Sequence, residues 1–453
     1  MSLKEYLEEK LMSDWCFEEL EEWDEKISKI AKSYGLDWYP ITYEVCDYYE
    51  MMGHMSYHGM PSHYNHWSYG KSFERTHQLY NLGQEGLPYE LIINSNPSIA
   101  YLMRENPLYL QILIMAHCTG HSDFFKNNRS FNQTRPESVV SKMRNAKKRI
   151  NGYMEDTNIG IEKVESFIDS LHAVRFQTER NGRPRLSKSQ IREKYVNLLN
   201  NDKKKNKKDR DPRLKNVDIE KKLLEPDRDL LSFLIESGNH LKDWQIDLVN
   251  IVRDESLYFI PQIQTKILNE GWASFWHYKI LHELDLPQKY HIPFLKSHNQ
   301  VIRPHVSKVN PYHLGFYLFK KIEKEKGLDE CFFVREVHND VSALRCYLDM
   351  ESSRDLNLFT YSTKKEYITI DDISDEEGWK KIKNDLIMNV GTNSMPSVYV
   401  SDVSDYNELI IRHDHDGRDL ELEYAEEVVS QLLRLWPSGI KFFTVIEEES
   451  FEI

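Results

Sequence analysis

The chain has 453 residues, with 59 lysines and arginines against 73 aspartates and glutamates, a formal charge of −14. Hydrophobic residues at 40% and charged residues at 29% exclude a disordered chain, and at about 150 residues per domain the length predicts two or three domains with real cores. The longest apolar run, Leu108–Ala116, is too short for a membrane span, Met1–Glu25 is acidic and helical without a leader pattern, and the acidic balance argues against nucleic acid as the main partner.

Residues 1–35 carry a helical period (Leu11, Phe17, Leu20, Trp23, Ile27, Ile30) that ends near Gly35. Tyr39–Cys46 reads as extended. The stretch Met51–Lys71 is dense in histidine and aromatic residues, and seven of the 18 histidines fall between His54 and His121. A short helix is expected over Ser72–Leu82 and a short buried strand over Tyr89–Asn94. Asn96–Pro97 and Asn106–Pro107 both read as helix starts, an Asn cap followed by Pro at the first helical position. The helix opened by Pro107 is apolar nearly all round through Met115, which places it inside its domain.

Arg135–Ser170 and Leu241–Leu284 read as largely helical, separated by a polar, charged insert at about 177–228. The basic run Lys203, Lys204, Lys205, Lys207 and Lys208 in that insert reads as a solvated linker, with an RNA-binding patch as the competing reading. A helix is expected from near Pro261 to about Leu286. Beyond Gly327 the texture turns to strands: Cys331–Val337, Leu356–Thr360, Tyr367–Ile370, Ser397–Val403, Glu408–Arg412 and Ile440–Ile446, with an amphipathic helix over Glu421–Leu435. The expectation is an α+β protein, with a mostly helical N-terminal domain over 1–327 and a small α+β domain over 328–453. Five cysteines without a CxxC pair fit a reducing cytoplasm.

The chemistry concentrates in two places. Ala116-His117-Cys118-Thr119-Gly120-His121 sets two histidines four apart, one above the other on one helical face, the geometry that holds one metal ion through two imidazoles. Downstream, Ile263, Ile267, Glu270, Ser274, His277 and Leu281 share one stripe, so Glu270 and His277 point along an apolar, inward face. A buried carboxylate costs several kcal/mol unless paired or metal-bound, so something positive should meet Glu270. This layout resembles the zinc ligands of gluzincin metallopeptidases, which implies a divalent metal, Zn foremost, on His117, His121 and Glu270.

One departure matters: gluzincins carry their general base directly after the first histidine, and here Cys118 stands there. Glu90, Asp123, Glu74 and His277 are the candidates for that work. His277 or Glu90 would move the proton, and His66 or Tyr69 would contact the oxyanion or substrate. His54, His58, His63 and His66 have a plainer explanation, imidazoles bonded to backbone and packed on tyrosines. Lys126, Asn127 and Asn128 read as a helix end, and His413-Asp414-His415-Asp416-Gly417 as a strand followed by a polar turn.

Several segments in order are similar to the stage V sporulation protein R (SpoVR) family. They are Gly59-Met60-Pro61 with Asn65–Lys71; Tyr89–Pro97; Ala116–Asn128; Asn269–Ala273 through Trp276-His277; and Asn310-Pro311-Tyr312 with Gly315, with His413–Asp419 also fitting. The resemblance implies a cytoplasmic role in forming the spore cortex, a modified peptidoglycan layer, or a wider envelope role in bacteria that make no spores. It implies no particular reaction. Two functions follow: a metal-dependent hydrolase of amide bonds, with a peptidoglycan-related substrate or a protein partner, or a non-catalytic scaffold in which the His/Glu cluster is a structural pin.

Overall fold

The computed structural model describes residues 14–81, 90–180, 185–204, 211, 214, 217–219, 223–305, 309–364 and 367–453. Lys205, Lys207 and Lys208 of the basic run lie outside the described residues. The fold is α+β with a mostly helical N-terminal region. It divides into two compact units, Met1–Asn151 with Pro261–Ser394, and Gly152–Ile260 with Met395–Ile453. The 177–228 insert lies within the second unit; Gly327, next to the boundary read from the sequence, lies within the first.

The first unit opens with helix α1 (Phe17–Ser33), strand β1 (Ile41–Cys46), α2 (Tyr48–Ser56) and α3 (Trp67–Asn81), then β2 (Glu90–Ile93) and β3 (Ser98–Met103). The sheet order is β1-β3-β2, with β1 parallel and β2 antiparallel to β3. Glu90 pairs with Leu102 in that register. Asn96–Pro97 thus leads into a strand and not the expected helix: Ser98 enters the ladder opposite Ile41, and local cap chemistry yields to the pairing.

Helix α4 (Leu108–Asn127) follows, and its buried positions run unbroken from Leu110 to Phe125. Its apolar perimeter demands this, since every face must meet another element. The Asp14 carboxylate caps it from outside by accepting from the Leu108 N–H at 2.8 Å. Packed on α4 is a helix that arrives far later in the chain. After α5 (Val139–Glu155), α6 (Ile161–Val174), α7 (Lys188–Lys203), α8 (Leu230–Ser237) and α9 (Asp243–Gln264) comes α10 (Lys266–Glu283). The single helix expected from Pro261 to about Leu286 is broken at Thr265, whose dihedrals leave the helical region and whose hydroxyl donates to the Pro261 carbonyl. Pro261 instead sits inside the last turn of α9.

Next come α11 (Gln288–Val301), α12 (Pro311–Lys326), α13 (Leu328–Val337), α14 (Asp340–Tyr347) and α15 (Met350–Asp355). Cys331–Val337 is helix, not strand. Its β-branched and aromatic residues favour a strand locally, but Cys331 and Val334, three apart, both bury against the core of α4 and α10. The unit ends with the hairpin β4 (Phe359–Lys364) and β5 (Tyr367–Ile373), and α16 (Gly378–Asn389).

In the second unit β6 (Val398–Val403), β7 (Leu409–His413), β8 (Ile440–Ile446) and β9 (Glu449–Glu452) form one sheet in that order. The amphipathic helix α17 (Leu422–Leu435) makes the crossover between the parallel strands β7 and β8 and packs on α6. Among the described residues no helix is long and apolar enough to cross a membrane.

Candidate metal centre

Three close helix contacts build the site. A Cβ on Gly120, between the two histidines of α4, would lie 2.7 Å from the Cα of Ala273 on α10. One on Gly271 would lie 2.4 Å from the Cα of Gly315 on α12, and one on Gly315 would lie 2.1 Å from the Ile267 carbonyl oxygen. Backbone therefore meets backbone on both sides of α10, and only residues without a side chain allow it. The start of α10 is fixed by Asp340, whose carboxylate accepts from the Ile267 N–H at 2.9 Å and the Leu268 N–H at 3.0 Å.

This packing brings Glu90 of β2, His117 and His121 of α4 and Glu270 of α10 together, with one ligand atom from each lying within 4.8 Å of all the others. His117 Nε2 is 3.4 Å from Glu90 Oε1 and 3.9 Å from Glu270 Oε2, and His121 Nε2 is 3.4 Å from Glu270 Oε2. Donors about 2.1 Å from a tetrahedral centre stand about 3.4 Å apart, so these spacings suit one cation. His117 Nε2 and Glu270 Oε2 are buried and make no hydrogen bond among the described residues. Two imidazoles and the Glu270 carboxylate, with Glu90 beside them, are a donor set of the kind that takes Zn, Fe or Mn.

The imidazoles are sealed, their side chains 2% and 5% exposed, whereas those of Glu90 and Glu270 are 13% and 16% exposed. Solvent therefore reaches the carboxylate side. Burial pushes the Glu270 carboxyl up, but the imidazoles of His117 and His121 outweigh it and hold it far below the usual carboxylate range. For His121 burial pushes down, and the Glu270 and Glu90 carboxylates, with Asn269, raise it above the ordinary imidazole value.

Supporting residues complete the group. His121 Nδ1–H donates to Asn269 Oδ1 at 2.9 Å, which aims Nε2 at Glu270. His117 Nδ1 meets His277 Nδ1 at 2.8 Å, on the ring edge away from Glu90. Tyr312, at the start of α12, stacks 6.1 Å from the His117 ring. Burial, then the Glu270 and Glu90 carboxylates, push its phenol well above the ordinary range, so it stays protonated. Asn269, Tyr312 and His298, described below, were not readable as supporting residues. Their only signals were the Asn preceding Glu270 and the Asn-Pro-Tyr turn.

The other named residues lie as follows. His66 Nδ1 meets Ser68 Oγ at 2.7 Å at the start of α3, and Tyr69 OH meets His63 Nε2 at 3.5 Å. Their rings join Tyr57, His58 and Tyr64 in an aromatic cluster; His66 is not among the four grouped ligand residues. Asp123 is engaged elsewhere, accepting from Trp272 Nε1 at 2.8 Å with Arg335 Nε 3.5 Å away. Glu74 is exposed and accepts from Gln78. Lys126 pairs with Asp37, Asn128 donates to the Arg335 and His338 carbonyls, and the His413–Gly417 turn is held by Arg228–Asp414 and His415–Asp419 pairs.

The profile of the family described as "SpoVR like protein" matches residues 14–395, a span that contains every residue of this group. The chain belongs to the SpoVR family. A relative in Escherichia coli (strain K12), described as "Uncharacterized protein YcgB", is 34% identical over 483 residues, covering 97% of this chain and 94% of the relative. No solved structure matches the chain.

Proposed function

We propose that this SpoVR family member binds one divalent cation, zinc foremost, through His117, His121 and Glu270, and that it is a cytoplasmic hydrolase of amide bonds in spore cortex or envelope assembly. Family membership supports the association with sporulation. The observation that carries the metal reading is the convergence of Glu90, His117, His121 and Glu270, one ligand atom from each within 4.8 Å of the others, in which the buried His117 Nε2 and Glu270 Oε2 make no hydrogen bond of ordinary geometry among the described residues.

A bound cation of this type polarises a carbonyl and lowers the pKa of a bound water toward about 7. In this reading Glu90, on strand β2 and 3.4 Å from His117 Nε2, takes the proton in place of the base that Cys118 denies on α4. Tyr312 keeps its proton and is a donor beside Glu270. His66 or Tyr69 serves the substrate side. The partly exposed carboxylates support a reaction; the sealed imidazoles and Cys118 support the second reading, a structural pin in a scaffold protein.

The test is elemental analysis of the purified chain beside a His117→Ala/His121→Ala variant. About one zinc, iron or manganese per chain, lost in the variant, is the expected result. A native protein that stays metal-free after supplementation overturns the reading. With metal present, Glu90→Gln separates the two functions: a hydrolase keeps its metal and loses turnover of amide substrates, whereas a pin has no turnover to lose.

A further inference from the structure

His117 is the first of three buried imidazoles in a row. His117 Nδ1 meets His277 Nδ1 at 2.8 Å, and His277 Nε2 meets His298 Nδ1 at 2.7 Å. The three rings come from α4, α10 and α11 and are 1%, 0% and 2% exposed. Tyr278, Phe294 and Phe316 pack round His298, so the row is held in an apolar sleeve. Burial in that sleeve disfavours a charged imidazole, so the row is satisfied by neutral rings.

A neutral imidazole has one N–H and one lone pair. Only two proton orders satisfy both bonds in a neutral row. In one, His117 Nδ1–H donates to His277 Nδ1, His277 Nε2–H donates to His298 Nδ1, and His117 Nε2 carries a lone pair toward Glu90 and Glu270. In the other every donor is reversed and His117 Nε2 carries hydrogen. In the second order that Nε2–H faces the Glu90 and Glu270 carboxylates, 3.4 and 3.9 Å away, and leaves no lone pair for a cation; only the first order presents one.

We infer that His277 and His298 are positioning residues that hold His117 as its Nδ1–H tautomer, so that the Nε2 lone pair is presented to a divalent cation. The inference rests on the metal reading above and extends it to a residue that touches neither cation nor substrate. A cation on His117 Nε2 would give the row its direction, and the far end, His298 Nδ1, would then have to accept. Changing that acceptor therefore changes a ligand two rings away.

The test is zinc affinity of the full chain by chelator competition, with the visible spectrum of the cobalt(II)-loaded protein, for wild type, His298→Leu and His298→Gln. Leu removes the acceptor; Gln offers its side-chain oxygen to His277 Nε2–H. His298→Leu is expected to weaken zinc binding about tenfold or more and to shift the cobalt bands, with His298→Gln within about threefold of wild type. If His298→Leu does not fold, His298→Met, which fills the space with only a weak acceptor, is expected to behave as Leu would. Equal affinities and spectra in all variants, even with a lowered melting temperature of the metal-free chain, would overturn the relay while leaving the metal site standing. A wild-type chain that takes up no zinc would overturn both.

Discussion

Gly120 lies against Ala273 so closely that an added Cβ would come within 2.7 Å of the Ala273 Cα. The two helices that carry His117, His121 and Glu270 thus touch at the turn between the histidines, and the spacing of the ligand group depends on that contact. Gly120→Ala is expected to destabilise the chain by about 1–3 kcal/mol through overpacking and to lower its metal content. Gly152, a helical glycine with nothing within 4 Å of its missing Cβ, is the control. Gly152→Ala should match or slightly exceed wild-type stability, by up to about 1 kcal/mol. Urea unfolding of the metal-free proteins reads both, and a Gly120→Ala chain as stable as wild type would show that α4 and α10 can slide apart.

Asp340 anchors the first turn of the Glu270 helix from a fully buried position, and burial pushes its carboxyl up to about 7 despite the two backbone donors. An unfolded Asp titrates near 3.8, so between about pH 4 and pH 7 the folded chain keeps a proton that the unfolded chain has released. The stability from this group is complete below that window and is lost as pH rises through it. Asp340→Asn cannot ionise and retains an acceptor oxygen. Its stability should therefore fall less steeply than wild type across the window, measured by chemical unfolding at several pH values. Parallel curves would mean that Asp340 does not titrate there.

Metal uptake should itself be pH-dependent. In the metal-free chain the Glu270 and Glu90 carboxylates raise His121 above the ordinary imidazole value, so it holds a proton that a cation must displace. Affinity is expected to rise with pH through and somewhat above the normal histidine range, with proton release on binding. Calorimetry in two buffers of different ionisation enthalpy detects that proton. A buffer-independent heat would place the cation elsewhere.

Much of this arrangement is written in helical periodicity. The four-residue spacing of His117 and His121, and the stripe that puts Glu270 and His277 on one inward face of α10, follow from 3.6 residues per turn. The meeting of α4 with α10 does not, because nearly 150 residues intervene and the close contacts at Gly120 and Gly315 are tertiary. The same is true of the carboxylate of Glu90, whose position depends on β2 pairing with β3, and of Tyr312 and His298, which lie on helices whose packing no local pattern fixes. Cys331–Val337 shows the opposite error: its residue types suit a strand, while burial of Cys331 and Val334 on the core makes it a helix. Asn96–Pro97 and Asn106–Pro107 look alike in sequence, yet Pro107 precedes α4 and Pro97 precedes β3.

Asp123, two residues beyond His121, is where the ligand helix is tied to the rest of the core. Its carboxylate accepts from Trp272 Nε1 on α10 at 2.8 Å and from the Asp37 N–H at 2.8 Å, with Arg335 Nε of α13 3.5 Å away. Asp123 is fully buried and Arg335 nearly so. Removing the carboxylate would strand a guanidinium and an indole N–H in the core, and breaking a buried pair from one side costs about 3–5 kcal/mol. Asp123→Ala should accordingly be among the most destabilising single changes in the first unit, and a double variant with Arg335→Met should recover part of the loss because the stranded charge is gone. A thermodynamic cycle on the two variants measures the coupling. Additive losses would show that Asp123 works through Trp272 and Asp37 alone.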